Sequence, residues 1–441
     1  MNHLWVIPIF RRRDMKTAEE ILKLINDEGV EFVRLQFTDM LGRLKNVAVT
    51  AGQLRKLLVD KYRIDGSVLF CMEGAYDGEL LLKPDFDTFM ILPWRPQQGK
   101  VAKIMCDICN QDGTLFEKSS RTILKNVIEQ AKAKGYTFMI RPECEFFLFH
   151  TDEDGLPTTI THEQAGLMDV GPVDFGENAR REMVLLLDQM GFEIESSHHE
   201  KAPAQHEIDF KESTTLQTAD SIITFRFSVR SIAKRFGLYA TFMPKPKANE
   251  EGSGMHLNIS IYKDGVNIMD DMTDGVKGEA GQFINGIVAH AKALSIYANP
   301  TVNSYKRLMH AIKDPASDEE VKRNRTYYRM RKSLFEPAIE LSFPDSSSNP
   351  YLVLALCIAC GLNGIEAGMS DECPDKMYLS QIENLPRTLG AAVTAAKEDE
   401  FVADIVGKEF ARLYEKKRNQ EWNEYLEQVS EWELDKYLYQ V

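Results

Sequence analysis

Five glutamates and one histidine are spaced along this chain as a set of metal ligands would be. Glu143 and Glu145 stand two apart in TFMIRPECEFFLFH (137–150), and Glu200 and Glu207 flank His206 in EIESSHHEKAPAQHEIDF (193–210). His256 lies in GSGMHLNISIY (252–262) and Glu340 in AIELSFPD (338–345). These stretches alternate as strands do, and residues two apart in a strand share a face. Glu143 and Glu145 therefore point the same way; so do Gln205, Glu207 and Asp209, and so do His256, Asn258 and Ser260. Alone, each strand reads as a half-exposed sheet edge, and 193–210 reads as a solvated loop. Together they predict a cavity lined by acids, in which crowded, dehydrated carboxylates need cations. Oxygen-rich ligation with one imidazole suits Mg²⁺ or Mn²⁺ better than zinc.

A second cluster is basic. VKRNRTYYRMRKS (321–333) brings Lys322, Arg323, Arg325, Arg329, Arg331 and Lys332 together in an acidic protein. Such a run is usually a solvated loop. Beside acid-bound metals it also fits a polyphosphate clamp, because guanidinium matches phosphate oxygens. The chain has no GxxxxGK[ST] and no GxGxxG, so any nucleotide binds outside those fingerprints.

The elements that must position these groups are readable. The chain has 441 residues, 44% hydrophobic and 27% charged, enough for two or three domains of an ordinary globular protein. A net charge of -14 excludes a nucleic-acid partner, which needs a basic face, and no apolar run reaches the ~20 residues of a membrane span. Seven cysteines are no disulfide framework and point to a reducing, cytoplasmic setting. Cys357 and Cys360 sit in LALCIACGL, a buried helix rather than a zinc site, and Cys106 and Cys109 are too far away to complete one.

Residues 1–14 have the charge order opposite to a signal peptide and read as a disordered extension. TAEEILKLINDEG predicts a helix with Thr17 as N-cap and Gly29 as stop. EFVRLQFTDMLGRLKNVAVT predicts two strands turning near Gly42, and DGSVLF, GELLLKPD, TFMILPW and GKVAKIMC continue a strand-rich first domain over 15–113. The second, 114–441, opens with a capped helix in SSRTILKNVIEQAKAKG. Long helices follow at 175–191, 216–236 and 281–298, and Pro142 is placed at the start of its strand or at a sheet edge.

RLQFTDMLGRLKNV, DGS at 65–67, PECEFFLF, SHHEKAPAQHEIDF, FMPKP with GSGMHLNIS, NPTVNSYKRL, NRT and SNPYL occur in an order and spacing that resemble a class I glutamine synthetase of the shorter bacterial type. The resemblance runs from Met15 onward. It implies an α+β fold, with an N-terminal β-grasp domain and a catalytic domain built on a split-barrel antiparallel sheet. It implies an ATP-dependent ligase that phosphorylates a carboxylate, glutamate in the family, and lets ammonia or an amine displace the phosphate. It also implies a homo-oligomer, a dodecamer of two hexameric rings, acting only on small molecules. The family's ions, two or more per site, would be held by Glu145, Glu200 and Glu207 and by Glu143, His256 and Glu340. His198, His199 and His206 would support them. Arg325 matches the arginine on the nucleotide phosphates, and Asn258 and Ser260 are assigned to the nucleotide with it. Arg307 matches the residue gripping the α-carboxylate of the acid. Asp65 matches the aspartate, donated by a neighbouring subunit, that deprotonates ammonium.

The chain departs from the pattern at the substrates. Val68 stands for a serine of the ammonium pocket and Leu167 for a tyrosine. Lys313 stands for the flap glutamate, with Asp314 beside it, and Ser342 for the arginine on the reacting carboxylate. Three readings stay open: ordinary glutamine synthesis with the loop misaligned, a ligase of the same mechanism using another acid or amine, and a silent regulatory homologue. The kept ligands argue against the last, because buried carboxylates without a task are costly.

Overall fold

The computed structural model describes residues 17–95, 98–269, 277–313, 325–331 and 337–440. The expected extension 1–14 lies outside them, as do Asp314, Lys322, Arg323 and Lys332, and Lys313 is placed by its backbone alone. The described residues form two compact units. One comprises the chain up to 37 with 45–65 and 78–115, and the other comprises 38–44, 66–77 and 116 onward.

The smaller unit holds helix α1 (Ala18–Asp27), strands β1 (Val30–Thr38) and β2 (Leu44–Thr50), α2 (Ala51–Asp60), and β3 (Tyr62–Asp65), β4 (Glu79–Pro84), β5 (Met90–Ile91) and β6 (Lys100–Cys109). Thr17 and Glu20 close a capping box that satisfies the first free amides of α1. The sheet runs β2-β1-β6-β4-β3, with β1 and β6 parallel. The DGSVLF stretch is not a strand: Gly66–Leu69 is a turn of 3₁₀ helix.

The larger unit continues with α3 (Ser120–Ala133), β7 (Tyr136–His150), α4 (Glu177–Gln189), β8 (Ile194–His199), β9 (Gln205–Phe210), β10 (Ser213–Thr214), α5 (Thr215–Ala233), β11 (Leu238–Thr241), β12 (Met255–Lys263) and β13 (Val266–Asn267). Then come α6 (Gly278–Ala289), α7 (Ala291–Ala298), α8 (Val302–Lys313), β14 (Thr326–Arg331), β15 (Ala338–Leu341), α9 (Pro350–Glu366) and β16 (Lys376–Tyr378). The sheet order is β16-β14-β15-β12-β7-β9-β8.

Three further expectations are corrected. The helix expected over 281–298 is two helices broken at His290, whose ring bonds Asp399 and Asn363 instead of continuing the helix face. Pro142 lies inside β7, not at its start or at an edge. It pairs with Leu257 on one side, and on the other it faces the gap between β10, whose pairing reaches no further than Ile140, and β9, whose pairing reaches no further than Glu143. The missing N–H is tolerated there because that side offers no ladder partner. The helix α3 also starts without a side-chain cap at Ser119.

The core is dense behind this sheet. α9 is buried almost throughout, Cys357 and Cys360 included. It crosses α6 at Gly286 and Gly364, where a Cβ on Gly286 would come within 2.2 Å of the Cys360 carbonyl oxygen.

Candidate active site

The register of four neighbouring strands, β15-β12-β7-β9, assembles the acids. His256 on β12 lies opposite Glu143 on β7, and Asn258 lies opposite both Arg141 and Glu340. On the other edge of β7, Glu145 faces Glu207 and Glu143 faces Asp209. Glu143, Glu145, Glu200, Glu207, His256 and Glu340 are all at least nine-tenths buried.

The carboxylates around His256 share one arrangement. Each turns one oxygen toward the imidazole: Glu143 Oε2 lies 3.5 Å from Nδ1, Glu340 Oε1 lies 3.6 Å from Nδ1, and Glu145 Oε1 lies 3.7 Å from Nε2. The other oxygen is held from outside. Glu143 Oε1 accepts from Arg331 Nη1 at 2.7 Å and from Asn258 Nδ2 at 3.0 Å. Glu340 Oε2 accepts from Arg329 Nε at 2.8 Å. Glu145 Oε2 accepts from Gln205 Nε2 at 2.8 Å and from the Gly254 amide at 3.0 Å. Bonds of this kind fix the direction of a ligating carboxylate.

His256 Nδ1 is buried and has no hydrogen-bond partner among the described residues. Ligands at ~2.1 Å from an octahedral ion stand ~3.0 Å apart when adjacent and ~4.2 Å when opposite. The 3.5 and 3.6 Å separations from Nδ1 to Glu143 and Glu340 fall between those values. The Glu143–His256–Glu340 group therefore fits a divalent ion with one imidazole and two carboxylates. Glu145, Glu200 and Glu207 lie close enough to raise one another's pKa. Burial, and then Glu200, push the Glu145 carboxyl up to about 7, while burial followed by Asp209, Glu200 and Glu145 pushes Glu207 well above the usual range.

The remaining expected residues fall as follows. Ser260 Oγ donates to the Pro337 carbonyl, and Asn258 is occupied in bracing Glu143 and Arg331. Arg307 is buried and donates to the Phe343 and Pro344 carbonyls, with burial lowering its pKa and Asp345 and Glu145 opposing that. Arg325 is buried at the head of β14. Asp65 closes β3 in the smaller unit and is exposed. Val68 is exposed in its 3₁₀ turn and Leu167 half-buried in its loop. Ser342 is fully buried, accepts from Thr326 Oγ1 and donates to Glu340 Oε1 at 3.2 Å.

The sequence reading missed the bracing roles of Arg329, Arg331, Gln205 and Ser342. It also missed the pair His199–Glu163, in which His199 donates from Nδ1 to the Glu200 carbonyl and from Nε2 to Glu163 Oε1. The signal for Arg329 lay in pairing, since it stands directly opposite Glu340.

Residues 29–111 match the family "Glutamine synthetase, beta-Grasp domain", and residues 117–437 match "Glutamine synthetase, catalytic domain". This chain belongs to the glutamine synthetase family. It is 45% identical over 437 residues to the glutamine synthetase of Clostridium saccharobutylicum, covering 96% of this chain and 98% of that one. It is 41% identical over 434 residues to that of Halobacterium salinarum, covering 95% and 96%. Among solved structures, GmaS without ligand and the GmaS/ADP complex each align with a TM-score of 0.83 at 30% identity, covering 95% of this chain and 99% of theirs. The protein is thus an ATP-dependent ligase of the glutamine synthetase family, with a β-grasp N-terminal domain and a catalytic domain. The family uses ATP and divalent metal. No helix among the described residues is long and apolar enough to cross a membrane.

Proposed function

We propose that this ligase couples glutamate to a primary amine with an apolar part, through an acyl phosphate, in preference to ammonium. The observation that carries the ligase chemistry is the ring of inward carboxylate oxygens around His256 Nδ1. Glu143, His256 and Glu340 would hold one Mg²⁺ or Mn²⁺, and Glu145, Glu200 and Glu207 the other. Bound there, such ions neutralise charge on phosphoryl oxygens. Arg325 binds the nucleotide phosphates, with Asn258 and Ser260 on that side of the site. Arg307 grips the α-carboxylate of the acid, and Asp65 deprotonates the amine.

The amine preference rests on Val68, Leu167 and Lys313. Two hydroxyls are absent where a small hydrated cation needs oxygens, and an apolar amine gains ~25 cal/mol per Å² that it buries. The similarity to GmaS, at 30% identity, is as compatible with this as the similarity to glutamine synthetases. Ordered as residues 15–113 and 114–441, the two domains would assemble into a dodecamer of two hexameric rings. Exposed Trp432, Leu434, Leu438 and Tyr439 near the C-terminus support burial against other copies. The seven free thiols suit a cytoplasmic protein.

The deciding experiment is ADP release with Mg²⁺ and ATP across acids, ammonium and a series of primary alkyl and aryl amines. A higher kcat/KM for ammonium than for every amine returns the protein to ordinary glutamine synthesis. No turnover with any pair supports the silent homologue. Light scattering on the purified protein measures the assembly, and a mass far below twelve chains rejects the dodecamer.

A further inference from the structure

We propose that Glu163 and His199 are positioning residues for amine recognition: together they hold the turn that presents Leu167. Residues 151–176, between β7 and α4, form no helix, and no strand beyond the isolated bridge of Thr151 with Pro157. A connection of this length without regular structure is uncommon in a compact domain and is usually functional when it is ordered. Leu167 lies at its inner turn. The Asp169 amide donates to the Gly166 carbonyl at 3.1 Å, and the Gly166 amide donates to Asp169 Oδ2 at 2.8 Å. Leu167 and Met168 are therefore the two central residues. Met168 has φ 60°, the left-handed conformation that glycine or asparagine usually supplies at the second central position. A methionine stays there only where its surroundings hold it.

His199 does the holding. Its backbone carbonyl accepts from the Met168 amide at 2.9 Å, and its ring donates from Nε2 to Glu163 Oε1 at 2.9 Å. The arc from 163 to 168 is thus pinned at both ends on one residue, with Leu167 between them. Glu163 is buried and serves two further donors: Oε1 also accepts from the Ala204 amide, just before β9, and Oε2 accepts from the Phe175 amide at 2.9 Å. Its carboxylate therefore joins the end of β8, the start of β9 and the tail of the loop. His199 Nδ1 in turn donates to the Glu200 carbonyl at 2.5 Å. Leu167 is placed against the segment that carries Glu200 by buried bonds, not by regular structure of its own loop. Buried bonds of this kind fix a contact residue within the tolerance that substrate fit requires.

This inference rests on the amine reading above, and the test separates the two. Steady-state kinetics use n-propylamine and benzylamine as alkyl and aryl probes. Glu163→Gln keeps the shape but offers one acceptor oxygen to three donors. Its KM for the better probe should rise roughly 10–100-fold, the order that a displacement of ~1 Å costs. Its kcat and its KM for ATP should stay within about twofold of wild type, as loss of uniform binding requires, and the Mn²⁺ rise in Tm should persist. In a Leu167→Ala background the same substitution should leave the amine KM unchanged, because the turn then has no side chain to place. Asp169→Ala loosens the turn from an exposed position and should raise the amine KM by a smaller factor; it carries the test if Glu163→Gln does not fold. An amine KM unchanged in both variants overturns the inference. So does a Glu163→Gln effect of equal size with and without Leu167, or one in which kcat and both KM values move together. A wild type that prefers ammonium to both probes overturns the amine reading, and this inference with it.

Discussion

His256 and His206 are both fully buried imidazoles among carboxylates, yet their surroundings differ in one respect. Around His206 the cation is already inside: Arg180 Nη1 lies 2.7 Å from His206 Nδ1 and 2.7 Å from Asp174 Oδ2. Glu163 is likewise filled, accepting from His199 Nε2 and from the amides of Phe175 and Ala204. Burial, and then Arg180, hold His206 well below its usual pKa, so it stays neutral. Around His256 the guanidiniums of Arg329 and Arg331 reach only the outer oxygens, and the inner ones converge on the imidazole. Both groups look alike as sets of metal-capable residues. The position of the built-in cation separates a network whose charge is met from within from a centre able to take an ion.

The sharpest way to break this contrast is to substitute one residue of each cluster. His256→Ala should cut ATP-dependent turnover by about a thousandfold or more, since metal ions contribute several kcal/mol to charge stabilisation. It should also shrink the rise in Tm that Mn²⁺ gives the wild type. Turnover within tenfold of wild type would mean that His256 is structural. Glu163→Ala should instead lower the unfolding free energy by ~3 kcal/mol, because it strands the buried His199. The Mn²⁺ rise in Tm should persist, as urea titration and thermal scans with and without Mn²⁺ would show. If that rise disappears, the two clusters are not separable.

Arg331→Met addresses the outer bracing. Loss of an outer partner typically lowers metal affinity or activity about 10–100-fold, so the Mn²⁺ needed for half-maximal activity should rise within that range. An unchanged requirement would remove Arg331 from the support of Glu143.

The smallest effect calibrates the others. His290 and Asp399, 2.6 Å apart and away from both clusters, form a third imidazole–carboxylate pair. Burial alone would lower His290, but the Asp399 carboxylate outweighs it and raises the pKa. The pair's contribution is therefore complete below the ordinary histidine value of ~6.5 and is lost as pH rises through the elevated value. Asp399→Asn should flatten that alkaline decline in Tm by about 2 °C, equally with and without Mn²⁺. A change that depends on Mn²⁺ would tie this pair to the metal centre.

Much of the acid face was legible because alternation is local. Glu143, Glu145, Glu207 and His256 fall on strands whose side chains point as their spacing requires. Pairing was not legible, because register joins segments far apart in the chain. The basic run read as a phosphate clamp, and only the β14–β15 register places Arg329 against Glu340 and Arg331 two positions further along, opposite Ala338. Ser342 read as a loss, whereas the fold makes it a hydrogen-bond donor to Glu340. Pro142 read as an edge signal, since the gap between β9 and β10 that accommodates it exists only in the assembled sheet.

The bonds that brace Glu143 and Glu145 join residues 60, 109, 115 and 188 positions apart. None can form until a long loop has closed, which places the centre among the slow events of folding. During synthesis Glu143 leaves the ribosome 340 − 143 = 197 residues ahead of Glu340. At ~5–20 residues per second that is roughly 10–40 s. For nearly all of that interval Glu143 exists without Arg331, in a nascent acidic segment whose charges water and counter-ions must keep apart.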